Sequence, residues 1–366
     1  MVFESFDFRR SASIMPGMKK YTLAAIGILL LLCVGAGPRG KFDAKQITID
    51  GVPVVRLSDA GRGIEVSVLP SFGNMAFEMK VHGKNILFFP EMKLSDFQKK
   101  PMQTGIPFMA PWANRLDETG FWANGRKYSF DMALGNVRKD NNSLPIHGLL
   151  PADAAWEVTR VQADGKSASV TSGFDFWRYP DLMAQWPIAH AYEMTYRLAD
   201  GALEVRTTVS NLSREAMPLA IGFHPYYQIP GVPRDQWMLR MPARSAVIAD
   251  ERRMPTGEFR PLDLPNPLPL KDRTLDDGFT DLARNAEGRA VFTIESDGKR
   301  IELIFGPGYP VAVVWEPAKM EFICVEPMTG VTNAINLHHA GKYPGLQTIP
   351  AGGQWTGSFW IRPEGI

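Results

Sequence analysis

Short apolar runs with alternating polar positions recur along most of the chain, and turn residues separate them. Ile64–Leu69 alternates and is rich in β-branched residues until Ser71-Phe72-Gly73 breaks it. Ile47–Ile49 and Val52–Leu57 flank Asp50-Gly51, a pair that tolerates the positive φ of a two-residue hairpin turn. Phe77–Val81 and Ile86–Phe89 flank His82-Gly83-Lys84-Asn85 in the same way. The pattern continues over Trp156–Gln162, Ala168–Phe174, His190–Leu198, Leu203–Ser210, Ala290–Glu295, Arg300–Phe305, Val311–Trp315, Phe322–Val325 and Trp355–Ile361. No segment sustains a 3.6-residue apolar period over three turns, and the best helix candidate is the short stretch Lys93–Lys99. Many short strands with Gly and Pro turns predict an all-β sandwich or barrel. The Pro-rich stretch Arg260–Leu270 reads as a long surface loop within one domain, because strand patterns resume after it.

Composition supports this and narrows the function. The 33 Gly and 29 Pro in 366 residues exceed the ~12% of average proteins and argue against a helical bundle. A formal charge of +1 lacks the basic surplus of a nucleic-acid binder. With 45% hydrophobic residues the chain is not of the disordered class.

The N-terminus stands apart. Lys19 and Lys20 precede the apolar run Tyr21–Val34, and Gly35-Ala36-Gly37 follow, which is the pattern of a secretory signal peptide. Met18 lies directly before the lysines and reads as the true start. Residues 1–36 are thus expected to be an extension and a signal, and residues 37–366 a single domain that is periplasmic or secreted. An uncleaved membrane anchor is the alternative. Cys33 falls in the signal, and Cys324 among Phe322, Ile323 and Val325 reads as a small buried hydrophobe.

Candidate chemistry comes from a few residues. His224 ends the apolar run Ala220–Phe223 and is followed by Pro225-Tyr226-Tyr227, a stiffened strand end beside aromatics that suits a sugar pocket. His147 sits in Pro145-Ile146-His147-Gly148, where the glycine permits close approach. Glu326 and Glu316 each end an apolar strand before a proline, a desolvated setting that would raise a carboxyl pKa. Local sequence leaves both open. Arg115, in the apolar segment Pro107–Leu116, would need partners if buried. Trp112 suits either a sugar platform or the core. His82 and His190 read as turn and strand residues, and adjacent His338 and His339 make a poor chelating pair. No zinc-spaced cluster, phosphate-binding Gly loop or G-x-S-x-G elbow is present, so neither a metal nor a nucleotide cofactor is expected.

Taken in order, Trp112-Ala113-Asn114-Arg115-Leu116, Ile146-His147-Gly148, Gly222-Phe223-His224-Pro225-Tyr226-Tyr227, Leu275-Asp276-Asp277-Gly278-Phe279 and Val325-Glu326-Pro327 resemble the aldose 1-epimerase (galactose mutarotase) family. The resemblance runs from about Ile47 to Arg362. It implies a large antiparallel β-sandwich and cofactor-free exchange of the α and β anomers of a free aldose, a small-molecule sugar. It also implies that Glu326 is the general base, His224 the general acid and His147 a second polar group at the ring or anomeric oxygens. Arg115 and Asp276 would bind hydroxyls, together with Asn114, Trp112 and Tyr226. Phe223 departs from the Asn common before the family's His-Pro-Tyr, and Tyr227 from a common Phe. The adjacent Asp277 leaves the assignment of Asp276 open by one position. Non-catalytic sugar binding, a sandwich-type lyase or hydrolase, and a hexose 6-phosphate substrate, for which Arg138 and Lys139 are the candidate cations, are the alternatives.

Overall fold

The computed structural model describes residues 41–366 apart from 101, 103, 151–153, 155 and 318, so the expected signal lies outside the described residues. Strands dominate, and three large antiparallel sheets carry most of them. The first is a five-stranded meander of Phe42–Ile49, Val52–Asp59, Ile64–Leu69, Met75–Val81 and Lys84–Asn85. Its first hairpin turns on Asp50-Gly51, at φ 50° and 80°, which places Ile49 opposite Val52. The left-handed conformation that the sequence suggested is therefore the one adopted.

The second sheet has nine strands. Its C-terminal strand Gln354–Glu364 is central, paired on one side with Ala202–Asn211 and on the other with Lys299–Phe305. The third sheet carries the site. Its main path runs Pro255–Pro261, Ala243–Ala249, Leu275–Leu282, Val311–Glu316, Ile323–Met328, Gly222–Phe223 and Phe108–Met109, and Tyr226–Tyr227 also pairs with Ile323–Met328. Aromatic rings join the second and third sheets. Phe223 is fully buried, with its ring 4.9 Å from Phe359 of the C-terminal strand and 5.0 Å from Phe108. The departure at Phe223 is thus a matter of core packing.

Several elements differ from the sequence reading. Leu94–Lys99 is helical as expected, but Pro180–Gln185 and Ala334–His339 are helical too. Six residues are too few to show a helical period, and such short helices rest on tertiary packing. Ile86–Phe89 forms no strand; residues 226–228 meet its backbone singly, as in Phe88 N–H to Tyr226 O at 2.9 Å. The Pro-rich stretch includes the end of Pro255–Pro261 and the short Leu268–Pro269, each at a sheet edge, where a missing donor faces outward. Leu275–Leu282 was not expected as a strand, since only three of its residues are buried and Asp276-Asp277-Gly278 hides the alternation. Among the described residues no helix is long and apolar enough to cross a membrane.

The register also separates the two candidate carboxylates. Glu316 lies opposite Leu275, with its side chain fully buried against Arg234, which also donates to Arg273 O. It is one half of a structural ion pair. Breaking such a pair leaves an uncompensated charge, so Arg234→Met is expected to lower the unfolding free energy by about 3–5 kcal/mol. Urea unfolding should show this as a lower midpoint at unchanged slope.

Candidate functional site

Side chains directly opposite one another in a sheet share a face. One rung of the third sheet runs Asp276, Trp315, Cys324, Tyr226. The next runs Gly278, Val313, Glu326. Asp276 and Glu326 therefore rise from the same face, whereas Asp277, opposite Val314, belongs to the other. This parity sets Asp276, and not Asp277, on the face of Glu326.

Loops complete the site. His224 follows Gly222–Phe223, and its N–H donates to Pro107 O at 3.0 Å. Tyr226 stacks on its imidazole at 4.9 Å and 19°. His147 is reached through a bridge of Arg115 with Ile146 and the bond from His147 N–H to Asn114 O, 2.8 Å. Both Asn114 and His147 have positive φ, at 55° and 60°. Gly148 follows at φ 72°, and a Cβ there would stand 2.0 Å from the carbonyl oxygen of Ala110. Only glycine fits that crossing.

These elements enclose a cavity of about 260 Å³, walled by Asn114, Arg115, Asp140, His147, His224 and Glu326, with Asp276 and Trp315 beside them. His224 Nε2 lies 3.2 Å from Glu326 Oε1, and the His147 and His224 rings are 5.3 Å apart and perpendicular. Arg115 donates through Nε to Asp140 at 2.7 Å and through Nη1 to Asn114 Oδ1 at 3.1 Å, and its Nη2 is 3.7 Å from Asp276.

Burial governs the titration of the site. It takes His224 down to about 4, with the charges of Arg115 and Arg138 adding to the effect. His147 is held well below its ordinary value, first by burial and then by His224, Arg138 and Arg115. Burial raises Glu326 well above the carboxylate range; the charge of Asp276 adds to this and Arg115 opposes it. Asp276 is raised by burial against the pull of Arg115 and Arg253. The His224–Glu326 contact therefore favours a single proton held without net charge.

Five of the expected residues, Glu326, His224, His147, Arg115 and Asp276, meet at this cavity, and Asn114 joins them. Trp112 does not. Its ring is fully buried, 5.0 Å from Phe130 and 6.3 Å from Trp186, so it is a core residue and not a sugar platform. Tyr226 reaches an adjoining apolar cleft, where it steadies His224. His338 and His339 lie apart from this cavity, His339 stacked on Trp122 at 3.9 Å.

Two wall residues were missed in the sequence. Trp315 meets His224 edge-on at 5.5 Å. Asp140 accepts from the N–H groups of Asn142 and Leu144, each at 2.9 Å, while its other oxygen holds Arg115. Burial pushes Asp140 upward, but these N–H groups and Arg115 together hold it below its usual value. The turn-forming run Asp140-Asn141-Asn142-Ser143 just before Pro145-Ile146-His147 was the available signal.

Gly148→Ala is expected to cost at least ~2 kcal/mol, because a strained φ and a backbone clash coincide. Chemical denaturation measures the loss, and the His147 ring resonances should shift with it.

Comparison with known proteins gives the family. A model of the aldose 1-epimerase family matches residues 53–362. An uncharacterized Escherichia coli K12 protein, YphB, is 24% identical over 268 residues, covering 70% of this chain and 82% of its own. A galactose mutarotase-like protein from Clostridium acetobutylicum superposes with a TM-score of 0.79 at 23% identity, over 89% of this chain and 99% of that one. A galactose 1-epimerase from Lactobacillus acidophilus gives 0.67 at 15% identity, over 88% and 98%. At these identities the structures establish the β-sandwich fold alone, and the family model, matching most of the chain, establishes the rest: this protein belongs to the aldose 1-epimerase family.

Proposed function

We propose that the protein interconverts the α and β anomers of an aldose by acid–base opening and closing of the hemiacetal. The observation that carries this reading is the buried His224–Glu326 contact of 3.2 Å on the wall of a cavity that also holds Arg115 and Asp276.

Mutarotation needs a proton taken from O1 and a proton given to the ring oxygen O5, as the C1–O5 bond breaks to leave an aldehyde. The aldehyde turns about C1–C2, and both transfers then run backwards on the other face. In this reading Glu326 takes the O1 proton and His224 protonates O5. Burial of both groups supports it, since a pair that carries one proton can return it in either direction. His147 stands close enough to hydrogen-bond O1 or O5. Arg115, fixed by Asp140, and Asp276 offer a donor fork and an acceptor to ring hydroxyls. The basic and apolar run Lys19–Val34 motivates a second proposal, that the enzyme works outside the cytoplasm.

Glu326→Gln or His224→Asn is expected to reduce kcat about 10²- to 10⁴-fold in NMR exchange or polarimetry of fresh α-glucose and α-galactose. Glu316→Gln should lose stability but retain kcat in its folded fraction. Native rates no faster than buffer on every aldose would overturn the reading.

The pH profile should be a bell. On the acid side activity falls as His224 gains a second proton for the pair, near 4. On the alkaline side it falls where Glu326, raised by burial, gives up the shared one. Asp140→Asn should lower kcat/KM about 10- to 100-fold, mostly through KM, because Arg115 loses a charge-assisted partner.

A further inference from the structure

His147 and His224 also wall an adjoining cleft of about 320 Å³. Its other sides are Phe72, Met75, Phe97, Phe108, Met109 and Leu150, all buried apolar residues. Met102, 51% exposed, stands where the cleft meets solvent. Arg138 is the one group on this lining that carries a charge near neutrality, and its Nη2 donates to His147 O at 2.7 Å. Ligand sites are largely apolar clefts with a few placed polar groups, and this cleft has that make-up.

We propose that the substrate is an aldose bearing an apolar substituent at C6, its ring in the polar cavity and its substituent in this cleft. The inference rests on the mutarotase reading and extends it. Mutarotation requires a free hydroxyl at C1, so the apolar group is not an aglycone on O1. His224 attends the ring oxygen, and the carbon next to that oxygen, C5, carries C6. C6 is therefore the exocyclic position that leads past His224 into the cleft. A C6 phosphate would face phenylalanine and methionine side chains with a single guanidinium to meet it. An acyl ester fits better: its carbonyl can accept from Arg138 and its chain can lie along the aromatic wall. At ~30 Å³ for a water-sized group, the cleft holds roughly ten non-hydrogen atoms, close to an eight-carbon acyl group. No bond at C6 changes during the reaction.

The test is anomer exchange by NMR with the native protein on glucose, its 6-O-acetyl, 6-O-butanoyl and 6-O-octanoyl esters, and glucose 6-phosphate. KM should fall with chain length, reaching at least ~30-fold below glucose for the octanoyl ester. Met102→Glu, which sets a carboxylate at the exposed side of the cleft, should shrink the octanoyl-to-glucose advantage at least ~10-fold. The chain-length series on native protein decides the question even where that variant fails to fold. Accelerated exchange of glucose with no gain along the series overturns the proposal and leaves the mutarotase reading standing. A lowest KM for glucose 6-phosphate does the same. Exchange no faster than buffer for every member overturns both.

Discussion

The site depends on the burial of a histidine and a carboxylate against each other. Neither is stable as an isolated charge in so dry a setting. Placed 3.2 Å apart, they can hold a single proton between them and need no external counter-ion. The surroundings follow from that constraint. Tyr226 and Trp315 pack the imidazole from two directions, and Arg115 stands near enough to bias the carboxyl without neutralising it. Arg115 in turn is held by Asp140, itself fixed by backbone N–H groups. The chain of dependence therefore ends in a turn rather than in another mobile side chain.

The sheet supplies the precision. A side-chain period of two sends neighbours in sequence to opposite faces, so Glu326 and Asp276 face one cavity while Glu316 faces Arg234. The close crossing of Gly148 over Ala110 then sets the His147 loop against the same sheet. A strand carries Glu326, a strand end carries His224, and left-handed loop positions carry Asn114 and His147 beside them.

Much of this was legible in the chain. Strand runs such as Ile64–Leu69 and Leu203–Ser210 correspond to strands because the alternation of apolar and polar residues survives in the sequence. Leu275–Leu282 escaped because its half-exposed positions carry Asp and Gly on both faces. Glu316 and Glu326 both end an apolar run before a proline, and beyond the family resemblance it is the register, a long-range property, that tells them apart. Trp112 illustrates a further limit: a tryptophan directly after a proline reads the same whether it stacks on a ligand or on Phe130 and Trp186. Asp140 was hidden because its role lies in a partner 25 positions away.

The central place of Gln354–Glu364 bears on how the molecule is made. Its two neighbours in the sheet come from distant parts of the chain, Ala202–Asn211 and Lys299–Phe305. Until the last strand leaves the ribosome, each of these presents a bare edge of unpaired N–H and C=O groups. The nine-stranded sheet cannot assemble progressively behind the growing chain; it closes in a late step when its middle piece arrives. Once Lys299–Phe305 has been made, the chain therefore holds two unsealed half-sheets until Gln354–Glu364 arrives, an interval in which bare strand edges invite pairing with another chain.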